Sequence, residues 1–504
     1  MFAALRNLGR IAKIGWTLAR HDALIGADAY LPGWAARRLH GLRKAGASER
    51  PGERLAAALA ELGPSFVKLG QALSTRADLI GEEVAADLSR LQDRLPPFPG
   101  ARARATVAAE LGQPVEALFA AFDDTAVAAA SIAQVHFATT TDGREVAVKV
   151  LRPDIEARFR QDIDLFAWIA RLAERWVPQV RRLKPVAVVA TFAETVKREM
   201  DLRLEAAAAS ELAQNFAGDP DFRVPEIVWP LTARRTMTSA RIAGIPIDER
   251  AALIAAGHDP DAIVAKAARA FFAQVFRDGF FHADMHPGNL FVGADGALVA
   301  VDFGIMGRID RATRHTLAEM LIGFLARDYG KVAAAHLRAG YVPQSQSAGD
   351  FAQAARAIAE PILGKPLNEI SLARLLAQLF EVTEQFHMET QPQLLLLQKS
   401  MLVCEGVGRS LNPAVNMWEL ARPLVEDWAR ANLSPEARIA ALAAEAGERL
   451  AGLPAFAANL EKAAAMLAEG GVRLHPETLA ALRGERTNWW PWAVAALLAV
   501  LFLV

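Results

Sequence analysis

The segment Phe281-His282-Ala283-Asp284-Met285-His286-Pro287-Gly288-Asn289, followed by Val301-Asp302-Phe303-Gly304, constrains this chain more than any other stretch. Asp284 and Asn289 are five apart, His282 stands two before Asp284, and Asp302 opens an Asp-Phe-Gly triplet. Phosphoryl transfer from ATP needs one carboxylate at the acceptor hydroxyl, and an amide plus a second carboxylate to hold Mg2+ against the phosphates. A catalytic loop of the form H-R-D-x-x-x-x-N with a downstream D-F-G supplies those groups at this spacing. Two other readings stay open. His282, Asp284 and His286 could form a metal cluster, since His and Asp are ordinary zinc ligands, although that leaves Asn289 and Asp302 without a role. A plain loop with its histidines satisfied by backbone is the other.

A strand that such chemistry requires lies upstream. Glu145-Val146-Ala147-Val148-Lys149-Val150 alternates as a half-buried strand does, and V-A-V-K matches the V-A-I-K strand whose Lys reaches the α- and β-phosphates. Thr140 to Gly143 gives the turn of a hairpin. Ahead of it, Ala128-Ala129-Ala130-Ser131-Ile132-Ala133-Gln134-Val135-His136 sits where a glycine-rich phosphate loop belongs. Alanine carries a Cβ, so its amides close over phosphates less freely than those of glycine, and altered nucleotide handling is expected. Ala129, Ala130 and Ser131 are the candidate phosphate contacts, Ser131 through its hydroxyl. Lys149 needs a helical Glu partner. A helix over 191–215 offers Glu194, Glu199, Asp201, Glu205 and Glu211, and the sequence does not choose among them. A helical insertion is expected over 155–177, β-like segments over 225–246, and a long amphipathic helix over 260–280.

Composition narrows the remainder. A net charge of −1 gives no overall attraction to nucleic acid. Cys404 is the only cysteine, which excludes a disulfide within the chain and fits a cytosolic-side location. Abundant alanine favours a mostly helical protein. The first residues lack the continuous apolar core of a secretory leader, so none is expected. Arg6, Arg10, Lys13 and Arg20 interleave with Phe2, Leu5, Ile11, Ile14, Trp16 and Leu18. Such a helix lies on an anionic membrane or packs on its own protein with a solvated basic face; both readings stand. A polar linker follows over 37–54. Pro64 then suits a helix start, with Lys68, Gln71 and Thr75 on one face and Gly70 admitting a close backbone or ligand.

With Lys68-x-Gly70-Gln71, the alanine-rich loop, Glu199-x-Asp201 and His-x-Asp-x-His-Pro-Gly-Asn in this order, the chain resembles the UbiB family of protein-kinase-like proteins. The resemblance runs from about Leu55 to about Val415 and includes the segment from Leu402 to Pro413. It implies an α+β, protein-kinase-like two-lobed fold, predominantly helical overall, with a helical N-terminal extension. In that family the extension occupies the place of a protein substrate. Carried over, Lys68 and Gln71 face the nucleotide site and join Asp284 and Lys149 as catalytic residues. Lys68 contacts the Glu199/Asp201 ion-pair partners, Glu205 is the partner of Lys149, and Asn289 and Asp302 hold the metal. The implied cofactors are ATP or ADP and Mg2+. The implied partners are a membrane lipid or quinone precursor and other ubiquinone-biosynthesis enzymes, with a homodimer left open. Some members carry an older label, 2-polyprenylphenol 6-hydroxylase. The chain shows no flavin fingerprint or iron-ligand set, so that label is read as pathway association.

The chain end differs from the helical body read over 313–480. Trp489, Trp490 and Trp492 lead into residues 493–504, which carry no charge. A spanning helix usually needs about 20 apolar residues, and 489–504 supplies sixteen. The tryptophans resemble an interfacial belt, and Arg483 and Arg486 favour a cytoplasmic-side start. A short or tilted anchor in the inner (plasma) membrane is expected, with a buried terminal helix as the alternative. The expected divisions are 1–55 (basic segment and linker), 56–125 (extension), 126–245 and 246–430 (the two lobes), 431–487 (helical) and 488–504 (C-terminal hydrophobic anchor helix). Three functions compete: a membrane-associated ATPase or atypical kinase serving ubiquinone biosynthesis, a kinase of a small hydroxyl compound, and a nucleotide-gated pseudokinase scaffold.

Overall fold

The computed structural model of the chain describes residues 2–23, 50–74, 80–88, 91, 96–176, 184–363, 392–433 and scattered positions between 365 and 388. Met1–Trp428 form one compact unit and Ala429–Val504 a second, of which only 429–433 are described. The expected terminal helix over 489–504 lies outside the described residues. Among those described, no helix is long and apolar enough to cross a membrane.

The strands are β1 (Phe119–Phe122), β2 (Ala128–Ala129), β3 (Ala133–Thr140), β4 (Glu145–Leu151), β5 (Phe222–Arg223), β6 (Thr236–Ala240), β7 (Ile245–Pro246), β8 (Phe280–His282), β9 (Leu290–Val292), β10 (Leu298–Ala300) and β11 (Met306–Arg308). The alternation of 145–151 is what places Lys149. Val146, Val148 and Val150 are buried against Ala103 and Val107 of the Gly100–Leu111 helix and Phe119 and Phe122 of β1. Successive side chains of a strand point to opposite faces, so Ala147 and Lys149 emerge on the other side. β4 lies between β3 and β6 in an antiparallel sheet ordered β1-β3-β4-β6, with β2 on β3. Lys149 is opposite Val135 on one side and Met237 on the other. The β3–β4 turn uses Gly143 at φ +82°, a conformation that costs glycine least.

A second sheet, ordered β5-β10-β9-β7, and the β8–β11 pair carry the catalytic segment. The pairing His282↔Met306 lies on one side of the two loops and Leu290↔Ala300 on the other. Antiparallel pairing on both sides forces 283–289 and 301–305 together. The bonds Val301 N–H to Asn289 O (2.9 Å) and Ala283 N–H to Ile305 O (3.0 Å) close the gap.

The N-terminal helices share a core with those after β4. The Pro64–Ser74 helix begins at a proline, and its Phe66 meets Phe166 of the Ile155–Trp176 helix edge-on, ring centres 5.1 Å apart. Gly70 admits a close approach of side chains: a Cβ there would press on Leu59 and Leu91 at 2.8 and 2.9 Å. The first helix, Phe2–Arg20, satisfies part of its basic face within the chain. Arg10 pairs with Asp162 and Arg20 with Glu61, while His21 Nε2 lies 2.9 Å from Glu61 Oε2. His21, then Arg20, hold the Glu61 carboxyl down at about 2.

Three expected elements differ in detail. The helix over 191–215 is two helices, Pro185–Glu199 and Leu202–Asn215. Asp201 adopts extended backbone between them, and its carboxylate accepts the N–H of Arg203 as an N-cap, which starts a new helix. The helix over 260–280 stops at Phe272, widens to a π-turn over Ala273–Asp278, and ends at Gly279 with φ +67°. Trp229–Leu231, read as β-like, is a 3-10 turn; Pro230 has no N–H to give a ladder. Beyond β11 run helices Arg311–Leu325, Tyr329–Arg338, Ala348–Ala359, Pro392–Leu411 and Met417–Leu433.

Candidate functional site

Lys149 is the hinge of the site. Its Nζ donates to Glu205 Oε1 at 2.6 Å and to Asp302 Oδ1 at 3.1 Å. Thus β4, the Leu202–Asn215 helix and the loop after β10 meet at one ammonium. Of the acids offered by 191–215, Glu205 is the one at this contact. Burial alone would lower the Lys149 pKa, but the facing charges of Asp302 and Glu205 more than offset it, so the net direction is up. Lys149 holds the Asp302 carboxyl well below the usual carboxylate range, with a further contribution from Lys68. Burial pushes Glu205 up, the neighbouring Asp302 adds to this, and Lys149 opposes it. One ammonium between two carboxylates leaves an excess of negative charge, and the Asp302 side chain is 47% exposed toward solvent.

Asp302 has φ +62°. Among non-glycine residues this left-handed conformation is uncommon, with Asp and Asn enriched in it. Gly304 lies close beside it: its N–H reaches toward Asp302 Oδ1 at 3.4 Å, and a Cβ at that position would make a tight 3.3 Å contact with the same oxygen.

His282 ties the two motifs together. It is buried, and its Nδ1 accepts the Asp284 N–H at 3.2 Å. That assigns the proton to Nε2, which donates to Val301 O at 3.2 Å. Burial lowers the His282 pKa, consistent with the neutral ring these bonds describe. The buried Gln274 accepts the His282 N–H through Oε1 at 2.9 Å. Asn289 Nδ2 donates to Asp284 O at 3.0 Å, which orients the amide and leaves its oxygen for another partner. His286 is exposed, with Nδ1 accepting the Gly288 N–H. The alternative cluster of His282, Asp284 and His286 does not assemble: among the described residues no three His, Cys, Asp or Glu side chains gather to hold a metal. Mg2+ needs no such cage, because it is usually bound through one or two carboxylates plus substrate phosphates and water. The partly exposed Asp302 carboxylate and the Asn289 amide oxygen are hard donors that fit it.

The remaining candidates divide. Lys68 Nζ lies 3.0 Å from Glu199 Oε2, both nearly buried. Gln71 follows one turn later on the same helix and is half-buried. Asp201 caps its helix and forms a two-bond pair with the Arg203 guanidinium, at 2.8 and 2.7 Å. The alanine-rich loop is a closed hairpin rather than an open cradle. Ala128 and Ala129 pair with β3, and the Ala130 N–H bonds Ala133 O at 2.8 Å. Arg152 donates twice to Ala130 O, at 3.0 and 2.8 Å. Ser131 is fully buried, so in this conformation its hydroxyl has no open face toward a phosphate. Sequence reasoning missed Lys399, whose Nζ donates to Asp284 Oδ1 at 2.9 Å. The signal was there: Lys399 is the lone charge between Glu389 and Glu405. A separate concavity of about 500 Å³, lined by Asp278, Arg308, Asp310 and Arg314 among others, includes none of these residues.

Residues 90–336 match the ABC1 atypical kinase-like domain and 355–416 the UbiB helical domain. The chain is 46% identical to a Marinobacter nauticus protein named Probable protein kinase UbiB, over 78% of this chain and 72% of that one. It is 44% identical to a Xanthomonas campestris pv. campestris protein of the same name, over 86% and 80%. Among solved structures it resembles Rv3197 of Mycobacterium tuberculosis, determined in complex with erythromycin, with a TM-score of 0.53 and 26% identity over 75% of this chain and 96% of that one. The fold is kinase-like and mostly helical, and the chain belongs to the UbiB family of ABC1 atypical kinase-like proteins.

Proposed function

We propose that this chain binds a magnesium nucleotide and transfers or hydrolyses its terminal phosphoryl group, in support of ubiquinone biosynthesis at the cytoplasmic face of the inner (plasma) membrane. The observation that carries the reading is Lys149 bridging Glu205 and Asp302 at 2.6 and 3.1 Å, the arrangement in which a strand lysine is fixed to meet phosphates. Asp302 and Asn289 would hold Mg2+, which when bound neutralises charge developing on the β- and γ-phosphates. Lys149 orients the phosphate chain. Asp284 receives the proton of the acceptor O–H as the acceptor oxygen joins the γ-phosphorus, and the bridging P–O bond breaks with its electron pair leaving on the diphosphate. His282 holds the backbone of both loops. Phe66 and Val67 of the N-terminal extension share the main core with Met285 and Phe303, and the charge of Lys68, paired with Glu199 at 3.0 Å, acts on Asp302, so the extension lies close to the site. That proximity favours water or a small lipid-like acceptor over a large protein. The membrane attachment proposed here rests on 489–504.

The test is phosphate release and phosphorylated-product detection with purified full-length protein, membranes and quinone precursors present. The Asp302→Asn variant is expected to lose at least about 100-fold in turnover, as removal of one preorganised electrostatic group does. Unchanged turnover would remove the metal assignment. A phosphorylated metabolite instead of free phosphate would identify a small-molecule kinase, and nucleotide binding without turnover a scaffold. An unaltered quinone pool in a strain carrying Asp302→Asn would break the pathway link.

A further inference from the structure

The catalytic segment 281–289 contains no lysine or arginine. The cation at its carboxylate comes from 115 residues further along the chain: Lys399 Nζ donates to Asp284 Oδ1 at 2.9 Å. Lys399 lies on the Pro392–Leu411 helix, inside the segment that matches the UbiB helical domain. Both side chains are one-third exposed. Among the described residues Asp284 Oδ2 has no hydrogen bond of its own.

The packing of the helix fixes where Lys399 stands. Leu397 shares a cluster with Phe281 and Ala283, the residues on either side of His282. Val407 and Leu411 share the main core with Met285, and Cys404 Sγ lies 3.9 Å from Met285 Sδ. Ser400 is fully buried, its hydroxyl turned to Leu396 O at 2.9 Å. Arg250 anchors the far end by donating to Leu411 O at 2.7 Å. The residue after Asp284 and the helix bearing Lys399 are therefore packed as one piece. A partly exposed ion pair adds only about 0–1 kcal/mol to stability, so fold stabilisation does not account for a lone lysine directed at this carboxylate.

We propose that Lys399 is a positioning residue for Asp284, making the helical region a contributor to the site. This deepens the phosphoryl-transfer reading and rests on it. By holding Oδ1, the ammonium turns Oδ2 to the acceptor O–H. As the acceptor oxygen bonds to the γ-phosphorus, its proton passes to Oδ2, and the bridging P–O bond breaks with its electron pair on the nucleoside diphosphate. In this role Lys399 bonds Asp284 and not the nucleotide, so its loss acts on turnover rather than on affinity.

The experiment compares wild type, Lys399→Met, Lys399→Arg, Asp284→Asn and the Asp284→Asn/Lys399→Met double variant as full-length protein. The readouts are kcat, KM for ATP, ADP affinity and thermal midpoint. Lys399→Met keeps the aliphatic stem, and its kcat is expected to fall about 10- to 100-fold with KM and ADP affinity within about twofold of wild type. Lys399→Arg should recover most of the loss, and the double variant should fall no further than Asp284→Asn, as coupled residues do. Wild-type turnover retained in Lys399→Met overturns this proposal alone. So does a loss that appears in nucleotide affinity and thermal midpoint instead of kcat. Wild-type protein with no turnover at all overturns the phosphoryl-transfer reading, and this proposal with it.

Discussion

Lys149 concentrates more of the site's energetics than any other side chain. Removing it leaves Glu205 buried beside Asp302 without the ammonium that bonds both. Breaking a buried pair by deleting one partner costs about 3–5 kcal/mol, and the low end applies because the cluster opens to solvent at the half-exposed Asp302. Lys149→Ala should therefore lose about 3 kcal/mol in denaturant unfolding as well as nucleotide affinity. The pH dependence has a definite sign. Asp302 has a depressed folded pKa, so its pairing stabilises above the ordinary value of 3.8 and is lost as pH falls through the lower folded value. Lys149, raised above 10.5, contributes fully below that value and fades only in stronger alkali. Urea midpoints should hold steady from neutral to mildly alkaline pH and drop in acid below about 4, with a smaller drop in Asp302→Asn. The contacts of Lys149 with Asp302 and of Asn289 with Asp284 join residues that short motifs pick out, Val-Ala-Val-Lys, Asp-x-x-x-x-Asn and Asp-Phe-Gly, each legible from a few adjacent residues. Glu205 was not separable from Glu199 or Asp201 by pattern, since all three lie at the ends of helices whose break depends on a cap. Lys399 reaches Asp284 across 115 residues, a distance over which helical periodicity carries no information.

Among the elements, the β8–β11 pair fixes how the two loops face each other. Gly307 of β11 lies directly against Phe281 of β8, and a Cβ there would land on the aromatic ring. Gly307→Ala should cost about 1–3 kcal/mol through overpacking and should lower turnover, because Phe281 immediately precedes His282. Paired thermal melts and phosphate-release assays check this; a variant as stable and active as wild type would show the ring free to move. The alternation of β4 and the proline start at Pro64 could be read directly, since each depends on a few adjacent residues. The π-turn over Ala273–Asp278 could not, because it continues the apolar spacing of the helix before it. Gly70 could be read only in part for a related reason: a glycine within a helix signals a close neighbour, and only the fold shows the neighbours are the side chains of Leu59 and Leu91.

For the whole molecule, the site lies between two sheets that share the main core through Leu151, Met237 and Leu202 on one side and Met285 and Leu290 on the other. The valine face of β4 packs against the Gly100–Leu111 helix, whereas Asp284 and Asn289 belong to the paired loops below it. A ligand that bridges them must stabilise the folded chain. At about 100 times its Kd, a nucleotide adds about 2.7 kcal/mol, so ADP with Mg2+ should raise the thermal midpoint. Chelating the metal should erase most of that rise, and Asp302→Asn should show little of it in either condition. An equal rise without the metal would argue against Asp302 and Asn289 as its ligands. Lys149 sits in the β1-β3-β4-β6 sheet while Asp302 follows β10 of the other, so any parting of the two sheets at this point must pull an ammonium from a carboxylate. A ligand that wedges between them would have to break the same 3.1 Å contact that the proposed phosphate alignment depends on.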